Sequence, residues 1–478
     1  MSAPALGAPV AGCSWRRQLA DRVAWNLVAD GFARGGSLAL ALVSARWLGV
    51  EEYGRFALAL SVAQYVWLIA DASANSGFAT RELLSARRDR PDDAPGITTS
   101  LLFARMRAAG WLSVVALPAL ALVPEPMRMP LAAAGLSFAT IGLLPDWALR
   151  GYEDFRTLAL AQAGAGIVLL VALFFVLPHS PSAATAAAAW ALSFGAAALI
   201  AWVAMSRDGR LSLARRAPKL ARGSSMVFAL GSIGGIACAQ TPMLIAGASL
   251  SPHEAGLFGA VSRLLVAWIG LMGVLWWPLF GVLAKETPGS DAYRRVVAGS
   301  AQIAFAASLP AGLACLLWPS ELLTLCFGAE FAGAAALLRW TGLMLPLNAV
   351  LGLIEKAALA HGGERIRVWA YGAAYVLVLT IGIAGLPRLG AAAPLIGLLV
   401  GFMVATGIYA WAQRRVLPGR LLLVKAVLPL VAASILAIVW HAARTIEAPA
   451  VPSLVAGLAL YALLVLPILK RSTSEVSE

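Results

Sequence analysis

The chain has 478 residues, of which 60% are hydrophobic and 13% are charged, and its mean hydropathy is +0.80. Soluble globular proteins carry about one charged residue in four, so this composition excludes a soluble domain and predicts an all-α integral membrane protein. The formal charge of +13 would suggest nucleic acid in a soluble chain. In a membrane protein such an excess reports topology, and we expect no nucleic-acid partner.

Apolar windows of about 20 residues, the length of a membrane-crossing helix, recur along the whole chain. We expect about fourteen transmembrane helices, at 24–45, 54–78, 101–123, 129–149, 158–178, 183–205, 224–249, 256–281, 297–318, 335–359, 366–386, 391–413, 421–441 and 452–470. In the N-terminal segment the basic residues follow the apolar ones, which is the wrong order for a cleaved signal peptide.

The distribution of Lys and Arg over alternate loops predicts the orientation of the chain. The side that contains both termini carries 25 of these residues and the opposite side carries 5. Because positive residues are retained on the cytoplasmic side, both termini are expected to be cytoplasmic.

A sequence repeat indicates two homologous bundles. LGVEEYGRFA at 48–57 and LSPHEAGLFG at 250–259 share Leu, Glu, Gly and Phe at a constant offset of 202. Each joins the first span of a bundle to the second, so duplication is favoured over chance matching. We expect an N-terminal six-helix lobe, a basic cytoplasmic linker, a C-terminal six-helix lobe, and two extra helices with a cytoplasmic tail, at 1–205, 206–223, 224–413 and 414–478. An even number of spans per copy makes the lobes parallel, related by an axis along the membrane normal.

The junction motifs also carry a resemblance. ARWLGVEEYGRFALA, followed by a span ending in SGFATREL, resembles the start of the polysaccharide transport proteins. These are the lipid-linked oligosaccharide flippases of the multidrug/oligosaccharidyl-lipid/polysaccharide exporter superfamily. LSPHEAGLFGAVSRL and FGAEFAGAAALLRW are similar to that family's later junctions.

The resemblance implies two lobes that face each other across a cavity, with a lipid-accessible groove beside the two C-terminal helices. The implied cargo is an undecaprenyl-diphosphate-linked oligosaccharide, moved from the cytoplasmic to the periplasmic leaflet of the bacterial inner membrane. Membrane lipid and other polysaccharide assembly proteins are the implied partners, in the biosynthesis of surface polysaccharide such as O-antigen or exopolysaccharide.

Charged residues inside the first span are the main site candidates. Arg34 lies midway along this span, about 15 Å from either end, and Asn26 and Asp30 share its helix face at intervals of four residues. One interpretation is an internal Asp30–Arg34 pair that neutralises itself. The other is that Arg34 binds a diphosphate, since a guanidinium matches phosphate oxygens bidentately, while Asp30 orients it.

Further candidates come from other spans. Arg263 could face Arg34 across the cavity or reach the interface, Asp71 could join a polar network near the cytoplasmic gate, and Arg339 favours interface anchoring over binding. Four other charged residues are interpreted as ordinary residues of the membrane boundary: Arg105, Arg107, Glu355 and Lys356.

The alternatives are other transporters and an enzyme. The four histidines are dispersed and the loops are short, so a membrane glycosyltransferase or polymerase is not favoured, and we expect no catalytic residues, cofactor or metal. A drug exporter of the same fold would favour acidic groups in its cavity. A flippase for the peptidoglycan precursor shares the fold and the charge pattern, and stays open as an alternative.

Overall fold

The structure is a computed structural model that describes residues 14–73, 76–211, 222–417 and 419–477. Its described residues form helices and turns, and no strand occurs among them. In chain order the α-helices are α1 Ser14–Ser73, α2 Ser76–Asp89, α3 Ala94–Ala119, α4 Glu125–Leu143, α5 Asp146–Gly151, α6 Phe155–Val171, α7 Ala183–Arg207, α8 Arg222–Ser249, α9 Pro252–Leu283, α10 Asp291–Leu317, α11 Pro319–Cys326, α12 Ala335–Leu359, α13 Glu364–Ala384, α14 Leu386–Leu389, α15 Ala393–Ala412, α16 Gly419–Thr445 and α17 Ala450–Ser477. Helices satisfy every backbone polar group within the segment, as hydrocarbon requires.

Twelve helical stretches of the described chain are long and apolar enough to cross a membrane, so this is a multi-pass membrane protein. The first, Ala24–Leu68, has 45 residues, about 68 Å of helix against a hydrocarbon core of about 30 Å. Gly49 interrupts it with φ 71° and ψ 174°, a conformation that glycine adopts without steric cost. The kink divides this stretch into two spans, and the shorter apolar helix Ala450–Leu466 accounts for the last of the fourteen predicted segments.

Two segment boundaries differ from the sequence prediction. The expected loop at 46–53 is helical except at Gly49, so the first two spans are joined by a kink alone. The expected span 129–149 is divided after α4, because Leu144 precedes Pro145 and is extended, as residues before proline commonly are. The short helix α5 after this break carries Arg150.

The helices form two lobes of similar architecture. Helices α1 to α7 pack among themselves as the first lobe, and α8 to α15 pack as the second. The lobes meet where α1 contacts α8 and α9. Helices α16 and α17 pack on each other and on α10, so they extend the second lobe. Residues 212–221, most of the predicted basic linker, lie outside the described residues.

The two copies of the junction motif meet each other where the lobes are in contact. A Cβ atom on Gly54 would lie 2.7 Å from the backbone nitrogen of Gly256, and one on Gly256 would lie 2.0 Å from the carbonyl oxygen of Val50. Only hydrogen at both α-carbons permits such a crossing, as small residues do in membrane helix packing. Tyr53 is fully buried beside it.

The close crossing of α1 and α9 predicts a steric effect of a single methyl group. Gly256→Ala should destabilise the protein by about 2–3 kcal/mol through overpacking, because the obstructing atom belongs to the backbone of Val50. The measurement is the midpoint of thermal unfolding in detergent.

Gly407→Ala is the matched control for this substitution. Gly407 is exposed in α15, and a Cβ there meets nothing within 4 Å. Alanine should therefore raise the unfolding midpoint, since it is better than glycine in a helix by about 0.5–1 kcal/mol. Equal midpoints for wild type and Gly256→Ala would contradict the close crossing.

Candidate functional site

The first lobe brings together a cluster of charged and polar side chains, which we call the first-lobe cluster: Asn26, Asp30, Arg34 and Arg150. Arg150 donates from Nη1 to Asn26 Oδ1 at 3.1 Å and from Nη2 to Asp30 Oδ1 at 3.3 Å. Arg34 Nη2 lies 3.9 Å from Asp30 Oδ2. Asn26, Asp30 and Arg34 thus share one helix face, as their spacing predicts, and Asp30 lies between two guanidinium groups.

Arg34 is less well partnered than Arg150. Its only ion-pair distance among the described residues is the long one to Asp30, and its Nε is buried with no hydrogen-bond acceptor within the described part of the chain. The guanidinium lies at the lobe contact, where Gly270 and Gly273 of α9 face it. Since 31% of the side chain is exposed, Arg34 combines a desolvated nitrogen with accessible donor atoms.

A set of contacts stabilises the α5–α6 turn, which follows Arg150 in the chain. The Tyr152 ring lies between Arg87 and Arg210, whose Cζ atoms are 5.5 Å and 5.1 Å from its centroid. Asp154 caps α6 by accepting from the Thr157 amide, and it pairs with Arg210 at 2.7 Å.

The ionisation of Asp154 is part of this anchorage. Burial opposes ionisation, but hydrogen bonds from the Thr157 amide, the Arg210 guanidinium and the Thr157 hydroxyl outweigh it, so the pKa of Asp154 is lowered. The carboxylate is therefore charged at neutral pH, and it keeps the turn that carries Arg150 in place.

Arg105 is a first-lobe residue that the sequence analysis assigned wrongly. It was expected at the membrane boundary, but it is buried within α3, with Cζ 5.1 Å from the Trp67 ring centroid. Its Nη1 lies 3.5 Å from Asp146 Oδ1. Hydropathy does not predict the burial of Arg105, because apolar residues lie on both sides of it and the membrane span could begin before or after it. Arg107, by contrast, is exposed.

Arg263 bridges the lobes away from Arg34. Its Nη2 donates to the Ala57 carbonyl at 3.0 Å and lies 3.4 Å from the Ser61 hydroxyl. Arg34 meets α9 at Gly270 and Gly273 instead, about 10–15 Å further along the helix. The two arginines therefore hold the lobes at two depths.

The remaining predicted candidates are more peripheral. Asp71 belongs to the last turn of α1, and the structure describes its backbone alone. Arg339 is exposed in the second turn of α12. Polar contacts between Gln64 and Gln240, and between the hydroxyls of Tyr65 and Tyr375 at 2.5 Å, also join the lobes.

The second lobe contains a buried charge cluster that was also expected to be a boundary pair. The Glu355 carboxylate lies 3.2 Å from Lys356 Nζ and 3.0 Å from Arg367 Nε, and it accepts from the Tyr371 hydroxyl at 2.9 Å. Arg367 also donates to Ser232 at 3.0 Å. We call these residues the second-lobe cluster.

The two clusters occupy related places. The repeat offset of 202 relates Asp30 of α1 to Ser232 of α8, and each accepts from an arginine that lies near the junction of the fourth and fifth spans of its lobe. The second-lobe cluster is internally paired by Glu355, whereas the first-lobe cluster leaves Arg34 with a long contact. Among the described residues, no group of three His, Cys, Asp or Glu could hold a metal ion.

Comparison with known proteins identifies the fold. No protein family model matches the chain, and no curated protein sequence matches it. The lipid II flippase MurJ in an inward closed conformation is similar, with a TM-score of 0.69, 11% identity, and coverage of 92% of this chain and 97% of that one.

Transporters of the multidrug resistance MATE family are also similar. An inward-facing structure gives a TM-score of 0.64 at 16% identity and covers 82% of this chain and 96% of its own. An outward-facing structure gives 0.50 at 16% identity, with coverage of 84% and 96%.

The chain therefore has the fold of the multidrug/oligosaccharidyl-lipid/polysaccharide exporter superfamily, in agreement with the resemblance of its junction motifs. It is a multi-pass membrane protein whose fold is similar to that of flippase and multidrug transporter structures. Its structural neighbours are transport proteins and not enzymes, which agrees with the expectation of a non-enzymatic protein.

The second-lobe cluster predicts a large effect of removing its acid. Glu355→Ala leaves Lys356 and Arg367 without the carboxylate that they share. Removing one partner of a buried ion pair costs about 3–5 kcal/mol. The thermal unfolding midpoint should fall clearly in Glu355→Ala.

Glu125→Ala provides the comparison, because the Glu125 side chain is 86% exposed while paired with Arg128 at 2.9 Å. A surface pair contributes about 0–1 kcal/mol. Midpoints that fall equally in the two variants would argue against a special role of burial.

Proposed function

We propose that this protein is a flippase that moves an undecaprenyl-diphosphate-linked oligosaccharide from the cytoplasmic to the periplasmic leaflet. The observation that carries the proposal is Arg34, a partly desolvated arginine with accessible donors where the two lobes meet. An ionisable residue at this depth is a functional candidate by default, because its burial in a membrane is costly.

The charge of the first lobe supports an anionic cargo. In the first-lobe cluster Arg34 and Arg150 share one acid, Asp30, so the described side chains of that cluster keep one positive charge. A diphosphate supplies oxygen acceptors that a guanidinium binds bidentately. In the proposed complex Arg34 binds the diphosphate, Asp30 and Asn26 orient the arginines, sugars occupy the cavity between the lobes, and the prenyl chain remains in lipid.

The lobe contacts support alternating access as the mechanism. Val50, Gly54 and Gly256 are in close contact near the Gly49 kink, and Arg263 bonds to Ala57 and Ser61 below them. The loop charges favour a periplasmic position for this end in the inner membrane, with both termini cytoplasmic. Transport then requires that the crossing and the Arg263 bonds separate while the lobes, proposed as 1–205 and 224–413, close at the cytoplasmic end.

Three further features belong to the proposal. The linker 206–223 spans the cytoplasmic side between the lobes, and 414–478 adds two helices and a cytoplasmic tail. Membrane lipid and other polysaccharide assembly proteins are the proposed partners. Membrane potential favours outward movement of a negative headgroup by about 2.3 kcal/mol per charge per 100 mV.

A second candidate cargo is the peptidoglycan precursor. It is favoured by the TM-score of 0.69 to a lipid II flippase, and an arginine that binds a diphosphate serves either lipid. A drug exporter of the same fold is the third candidate, suggested by the MATE transporters. The first-lobe cluster, with its excess of arginine, argues against a cationic drug.

Leaflet transfer of a fluorescent undecaprenyl-diphosphate oligosaccharide in proteoliposomes tests the proposal. Arg34→Ala should lower the transfer rate by about 10-fold to 100-fold, because a hydrogen bond to a charged group contributes about 1.5–3 kcal/mol. Arg34→Lys keeps the positive charge but lacks the planar guanidinium, so its transfer rate should lie between those of the wild type and Arg34→Ala.

Arg128→Ala is the matched control, since Arg128 pairs with Glu125 at the surface and should leave transfer unchanged. Transfer in Arg34→Ala at the wild-type rate would refute the role of Arg34. Transfer of lipid II alone would select the second candidate cargo, and transport of a cationic dye alone would select the drug exporter.

A further inference from the structure

Two glycines of the second lobe face the guanidinium of Arg34. Gly270 and Gly273 are three residues apart on α9 and therefore lie on one face of that helix. A Cβ atom on Gly270 would lie 2.8 Å from Arg34 Nη1, and one on Gly273 would lie 3.1 Å from Nη2. No larger residue fits at Gly270 unless the arginine moves. We call this pair of glycines, with the space that they leave for Arg34, the socket.

The close approach of a helix backbone to Arg34 is specific to this part of α9. At Gly281, two turns beyond Gly273 on the same helix, a Cβ atom would meet nothing within 4 Å. A side chain at Gly270 or Gly273 therefore requires the end of the Arg34 side chain to shift, whereas one at Gly281 requires no shift. The requirement coincides with Arg34, which reaches from the first-lobe cluster across to the second lobe.

The socket also explains how an arginine remains at the lobe contact with so few partners. Its Nε is buried and has no acceptor among the described residues, and Asp30 lies 3.9 Å away from Nη2. The glycine backbone admits the planar group between the helices without offering it a counter-ion. An anion bound at the exposed edge of Arg34 would therefore lie beside both α1 and α9.

We propose that Gly270 and Gly273 are positioning residues that hold the Arg34 guanidinium for a diphosphate, so that both lobes build one anion site. The ligand in this proposal rests on the proposed function. The first lobe supplies the charge and the second lobe supplies the space. Separation of α1 from α9 then removes the socket, which links occupancy of the anion site to the relative position of the lobes.

A ligand-independent experiment tests the socket itself. Phenylglyoxal modifies accessible guanidinium groups, and peptide mass spectrometry measures its rate at Arg34 relative to Arg128 in the same sample. Gly270→Ala should raise the rate at Arg34 clearly, Gly273→Ala should raise it less, and Gly281→Ala should not change it. Equal rates at Arg34 in all four proteins would overturn the socket.

Binding of undecaprenyl diphosphate in detergent micelles tests the ligand. Gly270→Ala should weaken binding about tenfold if a charge-assisted contact is misplaced. The unfolding midpoint should not fall, because alanine favours a helix over glycine. In an Arg34→Ala background, Gly270→Ala should have no further effect on binding.

The outcomes separate this proposal from the proposed function. An equal loss of binding on Gly270→Ala with and without Arg34 would overturn positioning through Arg34. Wild-type protein that binds no undecaprenyl diphosphate would refute the diphosphate ligand and the proposed function together. The labelling rates would still decide whether the two glycines hold Arg34.

Discussion

The cost of placing ionised groups in a low-dielectric membrane governs the arrangement of polar residues in this protein. Each charge must have a partner, a route to water or a function that justifies its position. Arg105 has Asp146 and the Trp67 ring, and Arg150 has Asn26 and Asp30. Against this background Arg34 stands apart, because its position at the lobe contact is fixed by shape and its charge is only loosely compensated.

The duplication allows the surroundings of Arg34 to be compared with the related positions of the second lobe. The same offset relates Gly54 to Gly256 and Asp30 to Ser232. The glycines meet each other, whereas Asp30 and Ser232 each receive an arginine within their own lobe. Glu355 lies beside the arginine that bonds to Ser232, and Lys356 shares its carboxylate. Thus the related positions each accept from an arginine, while the acid lies at Asp30 in the first cluster and at Glu355 in the second. Of the two clusters it is the first that keeps an arginine with accessible donors.

The contact between the lobes combines close helix packing with polar contacts between side chains. Glycines at the crossing bring two backbones together, and beside them the Tyr53 ring of the first lobe packs against Phe327 and Phe331 of the second. Polar contacts also bridge the lobes, among them those of Arg263, the Gln64–Gln240 and Tyr65–Tyr375 pairs, and the bond from Arg46 to the Leu325 carbonyl. The proposed alternating access requires these contacts to separate as the lobes move.

Hydropathy determined the membrane class and the positions of most spans, because the bilayer fixes helix length and permits only internally bonded backbones. The repeated junction motif indicated the duplication. Helical periodicity placed Asn26, Asp30 and Arg34 on one face. Only the tertiary structure assigned Arg105 and Glu355 to buried clusters and brought Arg150 to Asp30. It also set Arg34 against Gly270 and Gly273. These contacts join residues far apart in the chain, so their existence depends on how helices pack, which local hydropathy does not encode.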